Sequence, residues 1–170
     1  MGPTTINDLP AHVLLVHIVV VFVPLAAILL VCSAVWPAAR RRLGIITPLI
    51  GLVALVSVPL TTSAGEWLIR RVQPDPLVRA HAHLGDGMLP WAGGLFLATL
   101  VVWLLHRYRV RHSEAEARAR WLPVASVVVA VLAVVVSVGS VVEVYRIGDS
   151  GAQAAWHDNF SANPVSGKKN

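Results

Sequence analysis

Five histidines of this 170-residue chain, His12, His17, His81, His83 and His157, lie beside apolar runs, with the carboxylates Glu66, Asp86 and Glu143. Neutral imidazole nitrogens and carboxylate oxygens suit a divalent metal. Imidazoles from two helices also suit the axial positions of haem b. A histidine inside a membrane span is costly unless partnered, so it marks a functional site by default. The candidate metal ligands are His12, His17, Glu66, His81, His83, Asp86 and Glu143, and the best haem axial pair is His17 with His83. No HExxH, CxxC or other closely spaced ligand motif is present. Any such chemistry therefore depends on helices that bring distant segments to one depth. No catalytic residue is assigned, and an enzyme is the less favoured class.

The elements that position these groups are apolar runs. Hydrophobic residues make up 56% of the chain and charged ones 14%, with a mean hydropathy of +0.68. Four runs lack Asp, Glu, Lys and Arg: residues 13–36, 44–65, 88–105 and 122–142, which are 24, 22, 18 and 21 residues long. A helix of about 20 residues crosses the roughly 30 Å hydrocarbon core. The expected fold is all-α, a four-transmembrane-helix bundle over residues 1–150, followed by a polar, partly disordered tail over 151–170. The single cysteine, Cys32, can form no intrachain disulfide and reads as a small buried residue. The first run follows a segment with no Lys or Arg and precedes Arg40–Arg42, so it reads as a retained span rather than a signal peptide.

The net charge of +5 does not point to nucleic acid, because the arginines flank apolar runs and no nucleic-acid-binding motif is present. They set topology instead. The first and third loops carry eight Lys or Arg, and the other side carries six including the distant Lys168 and Lys169. Positive residues favour the cytoplasm, which places both termini and the second loop outside. The expected setting is the plasma membrane of a bacterium, as a multi-pass protein. Trp36, Trp103 and Trp121 near one face and Trp67 and Trp91 near the other fit interfacial belts.

The histidines and carboxylates named above then share the outer end. His12 and His17 are five residues apart, about 140° around a helix, so both cannot face one small ligand. His17, deeper in the span, is the better choice for the interior. Pro59, Thr62 and Glu66 form one stripe, and Glu66 can pair with Arg70 four residues on. The segment VQPDPLVRAHAH is expected to turn outside the membrane. His81 and His83 point to nearly opposite sides of a helix, and His83 shares a stripe with Gly87, Pro90 and Gly94, where glycines admit a helix or flat ligand. Asp86 is read as the cap of the third span or as an orienter of a histidine. Glu143 has Arg146 three residues on as a local partner. The first half of the tail is expected to fold back on the outer face through Trp156. His106 and His112 are expected to be solvated, and no polar groups are expected to continue toward the inner side.

HVLLVH at 12–17, TTSAGEW at 61–67, HAHLGDG at 81–87 and VEVYRIG at 142–148 together resemble a bacterial family of small four-helix membrane proteins known only as a domain of unknown function. The resemblance covers about residues 9–150. His12 and His17 correspond to the paired histidines that open the family's first span, although Val13 stands where the family has proline. Glu66 stands where it has aspartate, and His83 or His81 corresponds to the third-span histidine. The family is likened to small b-type cytochromes on helix count and histidine placement, which implies a redox or metal role.

Three readings of the outer cluster follow. It is a bundle-fixing hydrogen-bond cluster without cofactor, a haem b or divalent-metal site, or part of a proton or solute path. The first leaves the chain as a non-catalytic accessory subunit of a larger membrane complex, such as a respiratory one, with other membrane-protein subunits as partners besides the lipid bilayer. The last makes it a small transporter.

Overall fold

The computed structural model describes residues 4–111 and 122–157. A short hairpin opens the chain, with β1 (Thr5–Ile6) antiparallel to β2 (Leu9–Pro10). Its two turn residues, Asn7 and Asp8, have φ of 48° and 61°, the left-handed pair that a type I′ turn needs. Six helices follow among the described residues: α1 (Ala11–Val35), α2 (Pro37–Leu43), α3 (Ile46–Ile69), α4 (Pro76–Asp86), α5 (Met88–Arg111) and α6 (Leu122–Trp156). Four helical stretches are long and apolar enough to cross a membrane: α1, α3, α4 with α5, and α6. The all-α, four-span fold expected from the charge-free runs is the fold found.

Proline placement explains several boundaries. Pro37 is the first residue of α2, and Pro48 and Pro90 fall within the first turns of α3 and α5. A first-turn residue has no intrahelical acceptor for its N–H, so proline costs nothing there. Pro24 and Pro59 lie inside α1 and α3, and both helices continue through them.

The second loop is a correction. Its two prolines suggest a turn, yet residues 76–86 form α4. Pro76 is the first helical residue, and the Asp75 carboxylate accepts a hydrogen bond from the Leu77 N–H at 2.6 Å. Asp75 is thus the N-cap, whereas Asp86 is the last residue of α4 rather than the cap of the third span. Only Gly87 separates α4 from α5, and its backbone stays helical at φ −69° and ψ −15°. The tail also differs from expectation: α6 continues to Trp156, which is exposed on the helix and does not fold back. Residues 112–121, with His112, Arg118, Arg120 and Trp121, and residues 158–170, with Lys168 and Lys169, lie outside the described residues.

In the bundle α1 packs on α3 and α6, α5 packs on the same two helices, and α1 and α5 touch across the middle. Helix α4 leans on the projecting end of α6. At 35 residues α6 is about 52 Å long, so it overshoots a hydrocarbon core of about 30 Å. Its last turns and α4 form a pair of helices beyond one end of the bundle, here termed the histidine end. The opposite end carries α2 and its three arginines and is termed the arginine end.

Lipid tails are as apolar as leucine, so helices in a membrane associate by close packing and interhelical hydrogen bonds. The buried core follows that logic, with Ala26, Ala27 and Leu30 of α1, Ala54 of α3, Ala92 and Leu95 of α5, and Ala133 of α6. Hydroxyls continue through it, against expectation: Thr61, Ser57 and Thr47 on α3, Ser33 on α1, Thr99 on α5, and Ser137 and Ser140 on α6 are all buried. Several join helices. Ser33 Oγ lies 3.2 Å from Thr47 Oγ1, Ser137 donates to the Ala27 carbonyl at 3.3 Å, and Ser140 Oγ lies 3.4 Å from the Trp91 carbonyl.

Helix α3 packs tightly on α5 at Gly51, where a Cβ would fall 2.8 Å from Thr99 Oγ1 and 3.4 Å from Phe96 Cα. Gly51→Ala should therefore destabilise the bundle by about 1–3 kcal/mol, the usual cost of overpacking. Gly93→Ala, with nothing within 4 Å of the new Cβ, should be neutral or stabilising. Thermal unfolding in detergent reads the difference, and equal effects at the two sites contradict this packing.

Candidate functional site

Two histidines dock on partner helices in the same way. His12, in the first turn of α1, is half-buried, and its Nδ1–H donates to the Thr61 carbonyl of α3 at 3.0 Å. His81, in the middle of α4, is half-buried, and its Nδ1 lies 3.1 Å from the Ile147 carbonyl and 3.0 Å from Ser150 Oγ on α6. Ser150 donates its own hydroxyl to the Ile147 carbonyl at 2.9 Å, so its oxygen remains an acceptor for His81.

Each carbonyl is followed four residues later by a glycine, Gly65 after Thr61 and Gly151 after Ile147. The Cα–Cβ bonds of a helix tilt toward its N-terminus, so the side chain at position i+4 covers the turn that begins at i. Glycine leaves that carbonyl open. A Cβ at Gly65 would sit 3.0 Å from His12 Nδ1, and one at Gly151 would sit 2.9 Å from His81 Cε1. The imidazoles occupy the space that the missing Cβ atoms vacate.

Helix α1 is thereby latched to α3, and α4 to α6. The latches meet, because the two rings contact edge to face with centroids 6.2 Å apart and planes at 76°. A carbonyl oxygen only accepts, so Nδ1 is the protonated nitrogen in both rings. The other nitrogen of each neutral imidazole, Nε2, then carries a lone pair. Glu143 lies on the same stripe of α6, four residues before Ile147, with Arg146 Nη1 at 3.3 Å from its Oε2. Its side chain is 12% exposed.

The remaining candidates lie apart. His17 is exposed and donates to the Val13 carbonyl of its own helix at 2.8 Å. It was expected to face the interior, but the roughly 140° between it and His12 puts only one of them inside, and Gly65 selects His12. His83 is exposed and His81 turns inward, the reverse of the expected rotation, because the helix begins at Pro76 and lays its 77, 81 and 84 face on the bundle. Glu66 and Asp86 are exposed, and His157 follows the end of α6. Among the described residues no group of three or more His, Cys, Asp or Glu side chains is arranged to hold a metal ion.

A haem does not fit this packing. His17 and His83 both turn outward, and the glycine clefts between helices are filled by the chain's own groups, with Val136 3.6 Å from where a Cβ of Gly94 would stand. His12 fills the one at Gly65, His81 that at Gly151, and the Trp91 ring that at Gly139, where a Cβ would fall 2.0 Å from the indole. The Glu143 carboxylate lies against Gly87 in the same manner, at 3.2 Å.

Sequence reasoning missed Arg40. Read only as a topology-setting charge, it turns inward and donates to the Ser33 and Ala34 carbonyls at 2.6 and 2.5 Å. Burial and the like charge of Arg109 push its guanidinium below the usual arginine value. His106, expected to be solvated, is half-buried near Arg40, Arg41 and Arg109.

The docking geometry makes a direct forecast. Gly65→Ala and His12→Ala should each cost about 1–2 kcal/mol, at the upper end for interhelical hydrogen bonds in membranes. His17→Ala should stay within about 0.5 kcal/mol, as exposed substitutions do. Equal losses for His12→Ala and His17→Ala in unfolding experiments would reject the inward assignment of His12.

Comparison with known proteins adds one positive finding. A family described as "Predicted membrane protein (DUF2231)" matches residues 8–164. No curated protein and no solved structure matches the chain.

Proposed function

The chain belongs to the DUF2231 family of predicted membrane proteins, and from that premise we propose that its histidine end binds a divalent metal ion through His12 and His81. The supporting observation is the matched pair of Nδ1–H imidazoles, each oriented by a main-chain carbonyl, with centroids 6.2 Å apart. Metal-binding histidines typically donate their second nitrogen in this way, which fixes the tautomer and leaves the ligating nitrogen basic. Two imidazoles sharing one ion at a Zn–N distance of about 2.0–2.1 Å hold their centroids roughly 5–6.5 Å apart. Glu143 supplies a carboxylate on the same α6 stripe if it leaves Arg146, and water completes the coordination. Imidazole with carboxylate favours zinc, copper or nickel over magnesium and calcium.

The proposed setting is the plasma membrane of a bacterium, with this end and both termini outside. Positive residues gather at the other end, where Arg40, Arg41, Arg42, Arg107, Arg109 and Arg111 lie. An alkaline phosphatase reporter fused to the C-terminus is expected to be active, and an inactive fusion with an active cytoplasmic reporter reverses the orientation.

Zinc titration of the detergent-purified chain, followed by calorimetry, tests the site. One ion per chain is expected, lost in His12→Ala and in His81→Ala and retained in His17→Ala and His83→Ala. Binding that survives both inward variants refutes the assignment. An unaltered protein that binds no zinc, copper or nickel returns both imidazoles to bundle-fixing hydrogen bonds and leaves the accessory-subunit role as the reading that stands.

A further inference from the structure

Helix α4 is held to the bundle by little. None of its residues is buried, whereas α1, α3 and α5 each bury several. Leu77, Val78 and Leu84 are half-buried on its inner face. Among the described residues, its side-chain hydrogen bonds to another helix come from His81, which reaches the Ile147 carbonyl and Ser150 Oγ on α6. Elements with few buried apolar contacts open locally before the core does.

Both ends of α4 leave it room to move. At its C-terminal end Gly85 and Gly87 flank Asp86. The Gly87 N–H reaches the Leu84 carbonyl at 3.0 Å, a three-residue step in place of the four-residue step of an α-helix. Pro90 has no N–H to give the Asp86 carbonyl. A Cβ at Gly85 would meet nothing within 4 Å, so no side chain braces the joint there. At the other end residues 70–75 link α3 to α4, and six residues reach about 20 Å when extended.

We propose that α4 is a lid that swings off α6 about the Gly85–Gly87 joint, and that a divalent ion shared by His81 and His12 holds it shut. The ion's part rests on the metal site proposed above, and the movement does not. With α4 docked, the His81 ring meets His12, which the Thr61 carbonyl holds on α3. With α4 away, His12 stays in place and its partner ring is gone. The lid carries one ligand and the bundle the other, so an ion enters and leaves without a path between the spans.

The test is electron–electron distance measurement in lipid nanodiscs. Spin labels are placed at Ala80→Cys on α4 and Ala152→Cys on α6, both exposed, with the single natural cysteine removed as Cys32→Ser. The metal-free protein should show a short distance and a second one longer by at least about 5 Å, given a lever of roughly 16 Å. Zinc should lower the share of the longer distance at least about five-fold. His81→Ala should raise that share and make it insensitive to zinc. Gly151→Ala, whose Cβ would stand 2.9 Å from His81 Cε1, should raise it with both imidazoles still in the chain. His83→Ala, exposed on the same helix, should leave the shares unchanged. One and the same distance in the unaltered protein, His81→Ala and Gly151→Ala overturns the lid, even where calorimetry shows zinc bound. Two distances whose shares ignore bound zinc overturn the ion's hold on it. If calorimetry shows no zinc bound, the metal site and the ion's hold fall together. The lid is then upheld by a larger long-distance share in the two variants and overturned by an unchanged one.

Discussion

An open main-chain carbonyl on a membrane helix is the feature on which the histidine end depends. A helix inside a bilayer hides its carbonyls, both in its own hydrogen bonds and under the side chain one turn on. Glycine removes that cover and offers the second lone pair of the oxygen to a neighbour. Gly65 and Gly151 do this for the Thr61 and Ile147 carbonyls, and a histidine takes each offer. At His12 the arrangement satisfies a polar side chain at the edge of a medium where an unsatisfied one is costly. It also fixes rotation, because each ring fits only over its glycine.

The same constraint bears on function. Once Nδ1 is bound to a carbonyl, the chemistry of each ring is confined to Nε2. Under the function proposed above, two such rings in edge contact offer their Nε2 atoms to something small that accepts imidazole nitrogen. The glycines under the docked imidazoles are Gly65 and Gly151, whereas Gly87 and Gly94, on the His83 stripe, face Glu143 and Val136. Both rings have a main-chain carbonyl as partner, and His81 also has the Ser150 hydroxyl.

The spans were legible because lipid imposes a length and a composition, and residues 13–36, 44–65, 88–105 and 122–142 meet both. Helix rotation was not legible. Valine and leucine surround α1, α5 and α6 on most sides, so no apolar stripe points to the interior, and small residues carry that information instead. The choice of His12 over His17 follows only when Gly65 is known to pack against α1. The choice of His81 over His83 depends on where α4 starts, and the Asp75–Pro76 pair, an N-cap followed by a first-turn proline, was the available signal. The prolines at 74 and 76 signal a turn, which residues 70–75 make, but Pro76 also opens a helix. Arg40 was hidden for another reason: nothing in a run of three arginines distinguishes the one whose fork reaches the end of the preceding helix.

The two ends of the bundle thus use polar groups differently. At the arginine end a guanidinium caps the last carbonyls of α1. At the histidine end two donors are spent on carbonyls, and two acceptor nitrogens remain. That last point is the centre of the account, and nitrogen NMR of the ¹⁵N-imidazole-labelled protein in bilayers tests it most directly. With His12 and His81 assigned by single substitution, both should show a protonated Nδ1 and an unprotonated Nε2 at neutral pH. An Nε2–H tautomer at either residue would contradict the carbonyl latch and remove the ligating nitrogen on which the metal site rests.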